Sequence, residues 1–109
     1  MHFRLTLKLQ KNAAPDSFEF GRGVVMLLEG IETYGSINKA TKRMGMAYSK
    51  AWRIINETEN AFGVRLIERD GARGSALTDE ARELIAHYRE ALSAAENAAE
   101  TVIRQYYPE

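Results

Sequence analysis

Apolar and polar residues alternate strictly over the first ten positions of the chain. Phe3, Leu5, Leu7 and Leu9 are apolar, and every residue between them is polar. A period of two is typical of a strand with one buried face, so the sequence predicts an N-terminal strand. The residues that follow, 11–16, include proline and asparagine and are predicted to form a loop.

From about residue 21 the apolar positions recur with the period of a helix. The stripe continues to Tyr34, and Gly35 suits the left-handed residue that ends such a helix. Ser36 then offers a side-chain oxygen to cap a second, short helix. A third helix follows Gly45 almost at once. The turn before it, of about three or four residues, is typical of a helix-turn-helix, because it is too short to lay two helices antiparallel.

Residues 64–77 predict a small hairpin, because two short apolar stretches flank a glycine-containing turn. Arg73 lies near its tip. Thr78 is a predicted N-cap, followed by two acidic residues, and begins a long last helix. The sequence therefore predicts a mainly α fold with a small β-sheet, in which a hairpin follows the helix-turn-helix.

The last helix carries a regular seven-residue repeat, with apolar residues at steps of four and three from Ala81 to Tyr106. Such a repeat marks a seam for another helix. The seam runs over about 37 Å at 1.5 Å per residue, longer than a small core covers. We therefore expect part of it to meet a second copy of the chain; the alternative is an amphipathic helix packed wholly within its own subunit. The expected dimer interface consists of Ile85, Tyr88, Leu92, Ala95, Ala99 and Val102.

Charge is distributed unevenly along a chain that is neutral overall. The 109 residues include 15 basic and 15 acidic ones. Residues 33–56 hold five basic residues and no acidic one, whereas residues 79–109 hold three basic and seven acidic ones. The positive segment coincides with the helix-turn-helix, which points to a polyanionic partner for that part of the chain.

Several classes of protein are disfavoured by what the sequence lacks. With no cysteine, disulfides, thiolate metal sites and cysteine nucleophiles are excluded. No apolar run approaches the roughly 20 residues that span a bilayer, and the start has no signal peptide, so we expect a cytoplasmic protein without membrane contact. His2 and His87 are far apart and lack metal-ligand spacing. We expect no catalytic residue, metal site or cofactor, and no enzyme.

A helix-turn-helix presents its second helix to the major groove of duplex DNA. Outward polar side chains of the third predicted helix would then reach base edges, and basic side chains of the second would reach phosphates. Arg73 would enter the adjoining minor groove. The candidate DNA-binding residues are Ser36, Lys39, Lys42, Arg43, Tyr48, Ser49, Lys50, Trp52, Arg53, Asn56 and Arg73.

Each of these residues also has a plainer interpretation. Lys39, Lys42 and Arg43 would then be only the solvated face of a short helix, and Trp52 would fill the core, since large aromatic residues are mostly buried. The rival function is a protein-interaction module whose basic face docks an acidic protein partner.

Two stretches of the helix-turn-helix carry a family resemblance. Gly35-Ser36-Ile37 and Met44-Gly45-Met46-Ala47-Tyr48, followed by Ala51-Trp52, resemble the N-terminal DNA-binding domain of ModE-type molybdate-responsive regulators. The segments 62–69 and Leu77-Thr78 are closer to the related LysR-type winged helix. The resemblance covers about residues 3–92, most of the chain.

The resemblance implies a winged helix-turn-helix with an N-terminal strand that joins the wing sheet. It also implies a transcriptional regulator that dimerises through its long terminal helix and reads a palindromic operator with the helix around residues 47–56. By position, Tyr48, Ser49, Trp52 and Arg53 match the family's DNA-facing residues.

Domain boundaries and ligands follow from the same resemblance. Residues 1–78 are expected to form the winged helix-turn-helix DNA-binding domain, with 79–109 as the dimerisation helix of the same compact unit. Full-length members bind molybdate through C-terminal domains. Because this sequence stops at Glu109, we expect no molybdate site in it.

Overall fold

Four helices and a two-stranded antiparallel sheet make up the part of the chain that the structure describes. The structure is a computed structural model that describes residues 1–15, 17–69 and 74–109. The elements, in chain order, are α1 Arg22–Tyr34, α2 Ile37–Met44, α3 Tyr48–Phe62, β1 Ile67–Arg69, β2 Ser75–Leu77 and α4 Asp79–Tyr106. The predicted mainly α fold with a small sheet is confirmed.

The structure has the predicted helix ends at Gly35, Ser36 and Thr78, and each is formed by a local hydrogen bond. Gly35 ends α1 in the left-handed conformation, with φ of 77°, and donates its N–H to the Ile31 carbonyl at 2.8 Å. A side chain with a Cβ would be strained there. The Ser36 hydroxyl oxygen accepts the Lys39 N–H at 3.0 Å and caps α2, and Thr78 accepts the Ala81 N–H at 3.1 Å to cap α4.

The hydrophobic core is centred on α1 and on Phe20, which lies just before the start of that helix. Phe20 has no exposed surface. Its ring centroid lies 5.4 Å from that of Phe62 and 5.5 Å from that of Tyr88, edge-on to both, a favourable arrangement of aromatic rings. The cluster therefore joins the start of α1 to the end of α3 and the middle of α4.

The predicted N-terminal strand is reduced to one antiparallel bridge, between Leu9 and Phe20. Among the described residues the wing sheet consists of β1 and β2, paired from Ile67↔Leu77 to Arg69↔Ser75. The expectation that an N-terminal strand joins the wing sheet is therefore corrected.

The N-terminal segment lies along α4 instead. The Tyr88 hydroxyl donates a hydrogen bond to the Leu7 carbonyl at 2.9 Å. The amino group of Met1 lies 3.5 Å from a Glu109 carboxylate oxygen, beyond the far end of the helix. Leu7 and Leu9 pack against the core. The alternating pattern therefore arises because helices cover one side of this segment. A half-buried strand has the same period, but here the covering elements are helices and not a neighbouring strand.

The first half of α4 packs on α1 and the second half extends beyond the core. Arg82 and Arg89 form ion pairs with Glu32 and Glu29 of α1, and the hydrogen bond to Glu32 raises the pKa of Arg82. No helix in the described ranges combines the length and the apolar character needed to cross a membrane.

We predict that Thr78→Ala lowers the free energy of unfolding by about 1–2 kcal/mol. Thr78 is buried, and its hydroxyl both accepts the Ala81 N–H and donates to the Arg65 carbonyl at 2.5 Å. The change leaves both backbone groups without that partner. Urea unfolding measures the loss. Thr33→Ala, at an exposed position of α1, is the control and should cost no more than about 0.5 kcal/mol; equal losses would contradict the assignment.

Candidate nucleic-acid interface

The helix-turn-helix is formed by α2, a turn at residues 45–47 and α3. Gly45 ends α2 with φ of 65°, and the Met46 N–H donates to the Thr41 carbonyl at 2.9 Å. Ala40 and Ala51 are both fully buried. Small side chains on both helices keep their inner faces in the core, which leaves the opposite faces outward.

Five basic side chains occupy the outward faces of this unit. They are Lys39, Lys42 and Arg43 on α2, and Lys50 and Arg53 on α3, all exposed. Within the described ranges none of the five has an acidic side chain within ion-pair distance, 4.0 Å. We call this surface the α2–α3 face. Its N–H donors form no ion pair with a carboxylate of the described residues.

The polar residues of the candidate site have different surroundings. Ser49 and Asn56 are exposed on α3. Ser36 is half-buried, and its hydroxyl oxygen already accepts the Lys39 N–H as the cap of α2. Ser36 therefore has a structural role whether or not it also contacts a ligand. Arg73 lies outside the described residues.

Two aromatic residues lie at the start of α3. Tyr48 is 51% exposed. Trp52 is half-buried and packs against the core, and its ring centroid lies 6.4 Å from that of Tyr48, edge-on. Trp52 thus buries part of its surface against the core and leaves the rest accessible to solvent.

Sequence reasoning does not single out Tyr34 as part of this region. The guanidinium carbon of Arg43 lies 5.3 Å from the centroid of the Tyr34 ring, within the range of a cation–π contact. The available signal is the position of Tyr34 in the last turn of α1, directly before the residues that connect α1 to α2.

The residues of the expected dimer interface divide into two groups. Ile85 and Tyr88 are only 7% and 5% exposed and belong to the core of their own subunit. Leu92 is half-buried against that core. The remaining members are on the surface of α4, where Ala95 is exposed, Ala99 is half-buried and Val102 is 54% exposed.

Among the residues that the structure describes, no three or more His, Cys, Asp or Glu side chains form a group that could hold a metal ion. A surface groove lies away from the α2–α3 face. It is a groove of about 880 Å³ between the N-terminal segment, α1 and α4, lined by residues that include Leu5, Met26 and Leu92.

Comparison with protein families identifies the helix-turn-helix. The model of the bacterial regulatory helix-turn-helix proteins of the lysR family matches residues 25–82, more than half of the chain. The chain belongs to this family. The match begins in α1 and ends in the first turn of α4, so it contains the α2–α3 face and the wing.

Relatives of the ModE type also match this lysR-family chain, which confirms the resemblance drawn from its motifs. The chain is 41% identical to a molybdenum transport protein ModE of Azotobacter vinelandii over 69 residues, 60% of this chain and 26% of that protein. It is 35% identical to the DNA-binding transcriptional dual regulator ModE of Escherichia coli over 88 residues, 77% of this chain and 32% of that protein. The matched region thus spans about a quarter to a third of these relatives.

Solved structures confirm the winged helix-turn-helix fold. The chain is similar to CbnR_DBD in its complex with DNA, with a TM-score of 0.57 and 21% identity over 77% of this chain and 95% of that one. It is also similar to BenM_DBD bound to benA site 1 DNA, with a TM-score of 0.55 and 22% identity over 75% and 94%. At these identities the likeness concerns the fold.

We predict that Ser36→Ala and Ser49→Ala have different effects on stability. Loss of the Ser36 cap should lower the free energy of unfolding by about 1 kcal/mol, since the Lys39 N–H loses its partner. Ser49 is exposed, so its change should cost at most about 0.5 kcal/mol. Urea unfolding of both variants measures the difference. Ser36→Asp, which keeps a capping oxygen, should restore the stability, and a failure to do so would contradict the capping role.

Proposed function

We propose that the chain is a transcription regulator that binds duplex DNA through the α2–α3 face. The observation that carries this proposal is the set of five exposed cations, without an acidic neighbour among the described residues, on a helix-turn-helix of the lysR family. Lys and Arg side chains that neutralise phosphates supply much of the affinity of such proteins for DNA. The DNA complexes of CbnR_DBD and BenM_DBD, which share the fold, support the same assignment.

The two helices of the unit have separate roles in this proposal. Outward groups of α2 contact phosphates and set the position of the protein on the duplex, and outward groups of α3 contact base edges in the major groove. The phosphate-contacting residues are Ser36, Lys39, Lys42 and Arg43. The base-contacting residues are Tyr48, Ser49, Lys50, Trp52, Arg53 and Asn56, and Arg73 of the wing is assigned to the minor groove.

The distribution of charge supports one orientation on the duplex. The segment from residue 33 to 56 has five basic residues and no acidic one, and the segment 79–109, which contains α4, has seven acidic and three basic residues. A polyanion attracts the first segment and repels the second. The protein therefore approaches DNA with the α2–α3 face forward and α4 behind.

We further propose that two copies associate through the second half of α4, so that residues 79–109 dimerise and residues 1–78 bind DNA. The stripe formed by Ala95, Ala99 and Val102 lies mostly on the surface and continues from Leu92, which also lines the groove beside Met26. Alanine at the seam lets two helices approach closely. A two-fold dimer places its two α3 helices about one DNA turn apart, roughly 34 Å or a multiple, and suits a palindromic operator.

We predict that Lys50→Ala with Arg53→Ala lowers the affinity for duplex DNA at least about tenfold. The duplex is one that the wild-type chain selects from a randomised library, and affinity is measured by gel shift at several salt concentrations. Because both side chains are exposed, the thermal unfolding midpoint should be nearly unchanged.

The matched control removes the same charge elsewhere. Lys11→Ala with Arg104→Ala changes two exposed cations outside the α2–α3 face and should alter the affinity by less than about threefold. Equal losses in the two variants would contradict the assigned site. If the wild-type affinity does not fall steeply with salt, the duplex is not the ligand, and the rival function, docking of an acidic protein on the basic face, takes its place.

We predict that Ala95→Asp with Val102→Asp converts a dimer of the 12.3 kDa chain into a monomer in sedimentation experiments. The charges would have to be buried without a partner in the α4–α4 contact. Asn97→Asp with Thr101→Asp adds equal charge on the opposite side of the helix, at 3.6 residues per turn, and should leave the dimer intact. A dimer that persists in the first variant would place the interface elsewhere.

A further inference from the structure

The second strand of the wing, β2, comes so close to the junction between α1 and α2 that backbone atoms of the two segments are in contact. The Ser75 N–H donates a hydrogen bond to the Gly35 carbonyl at 2.9 Å. Directly before it, Gly74 lies so close that a Cβ at this position would overlap the Gly35 carbonyl oxygen and lie 3.3 Å from the carbonyl carbon. The atom in the way belongs to the backbone and cannot rotate aside as a flexible side chain does.

The requirement at position 74 is one of size. Absence of a side chain is needed because two segments of backbone touch. Glycine commonly serves this purpose where backbones approach closely.

Gly35 is itself held firmly. Its N–H closes α1 on the Ile31 carbonyl, and Ser36, the next residue, caps α2. The contact with Gly74 and Ser75 therefore fixes β2 against the point at which the helix-turn-helix begins, and not against a flexible loop.

The other end of the wing is tied down separately. The Leu66 N–H donates to the Glu59 carboxylate at 2.8 Å, and the Thr78 N–H donates to the Leu66 carbonyl at 3.0 Å. The first bond attaches the base of the hairpin to α3, and the second closes the base directly before α4 begins. The contact at Gly35 is the bond that holds the first residue of β2, on the side of the hairpin turn.

We propose that Gly74 is a positioning residue: by docking β2 on the Gly35 carbonyl, it sets the direction of the wing relative to α2 and α3. This inference rests on the proposed DNA binding and extends it. In that setting the contact determines which stretch of DNA beside the major-groove site the wing covers, while the α2–α3 face supplies the central contacts.

Three single variants distinguish loss of the backbone contact from loss of the Ser75 side chain. Gly74→Ala introduces the overlapping Cβ. Ser75→Pro removes the N–H that the Gly35 carbonyl accepts; because that N–H points out of the β1–β2 ladder and Ser75 is the first residue of β2, the ladder is preserved. Ser75→Ala keeps the N–H and removes only the hydroxyl, and is the matched control.

The readout is hydroxyl-radical footprinting on a duplex that the wild-type chain selects from a library randomised over about three helical turns. Gly74→Ala and Ser75→Pro should lose protection at the flanks, keep it at the centre and bind about three- to tenfold more weakly. Ser75→Ala should retain the wild-type footprint and bind within about twofold of it. Full flank protection in the first two variants overturns the proposal, and so does an equal loss of flank and centre, which indicates a general structural role.

Hydrogen exchange tests the contact without DNA. In the wild type the Ser75 amide should exchange slowly, and in Gly74→Ala about tenfold or more faster, while the Ile31 amide of α1 is unchanged. Unchanged exchange at Ser75 overturns the proposal, as does a Gly74→Ala chain in which the Ile31 amide loses protection equally. A wild-type chain that protects no duplex refutes the proposed function, and this second measurement then still decides whether Gly74 anchors the wing.

Discussion

Phe20 lies with no exposed surface between the rings of Phe62 and Tyr88, and burial of such a side chain contributes on the order of 1.5–3 kcal/mol. The three residues come from the segment before α1, the end of α3 and the middle of α4. Because α3 is attached to this cluster by its last turn and to the rest of the core by Ala51 and Ile55, the direction of the helix is fixed along its length. The α2–α3 face therefore takes its orientation from the core behind it.

The same core contacts only the first part of α4. Ala81, Ile85 and Tyr88 are buried beside α1, and ion pairs from Arg82 and Arg89 to α1 reinforce that half. Beyond Leu92 the helix has left the core, yet its apolar spacing continues. The same seven-residue repeat thus lies first in the subunit's own core and then on an open surface. Only the surface part is available to another chain.

Signals that act within a few residues made most of the fold predictable. Gly35, Ser36 and Thr78 mark helix ends through their own backbone or side-chain chemistry, so the sequence locates them without knowledge of the tertiary structure. The course of the N-terminal segment was not predictable in this way, because an alternating pattern records that one side is covered and not what covers it. The contact of Gly74 with Gly35 joins residues distant in sequence. It arises only once the chain has folded, so no local pattern predicts it, whereas Arg43 meets Tyr34 across the short α1–α2 connection.

The inner and outer faces of α3 have different surroundings. Ala51, Ile55 and Thr58 are buried, whereas Ser49 and Arg53 are exposed and make little contact with the rest of the molecule. Substitutions at such exposed positions generally change stability by no more than about 0.5 kcal/mol. The outer face can therefore diverge during evolution while the scaffold is inherited unchanged, so that relatives with the same architecture can acquire different ligands by replacing a handful of side chains.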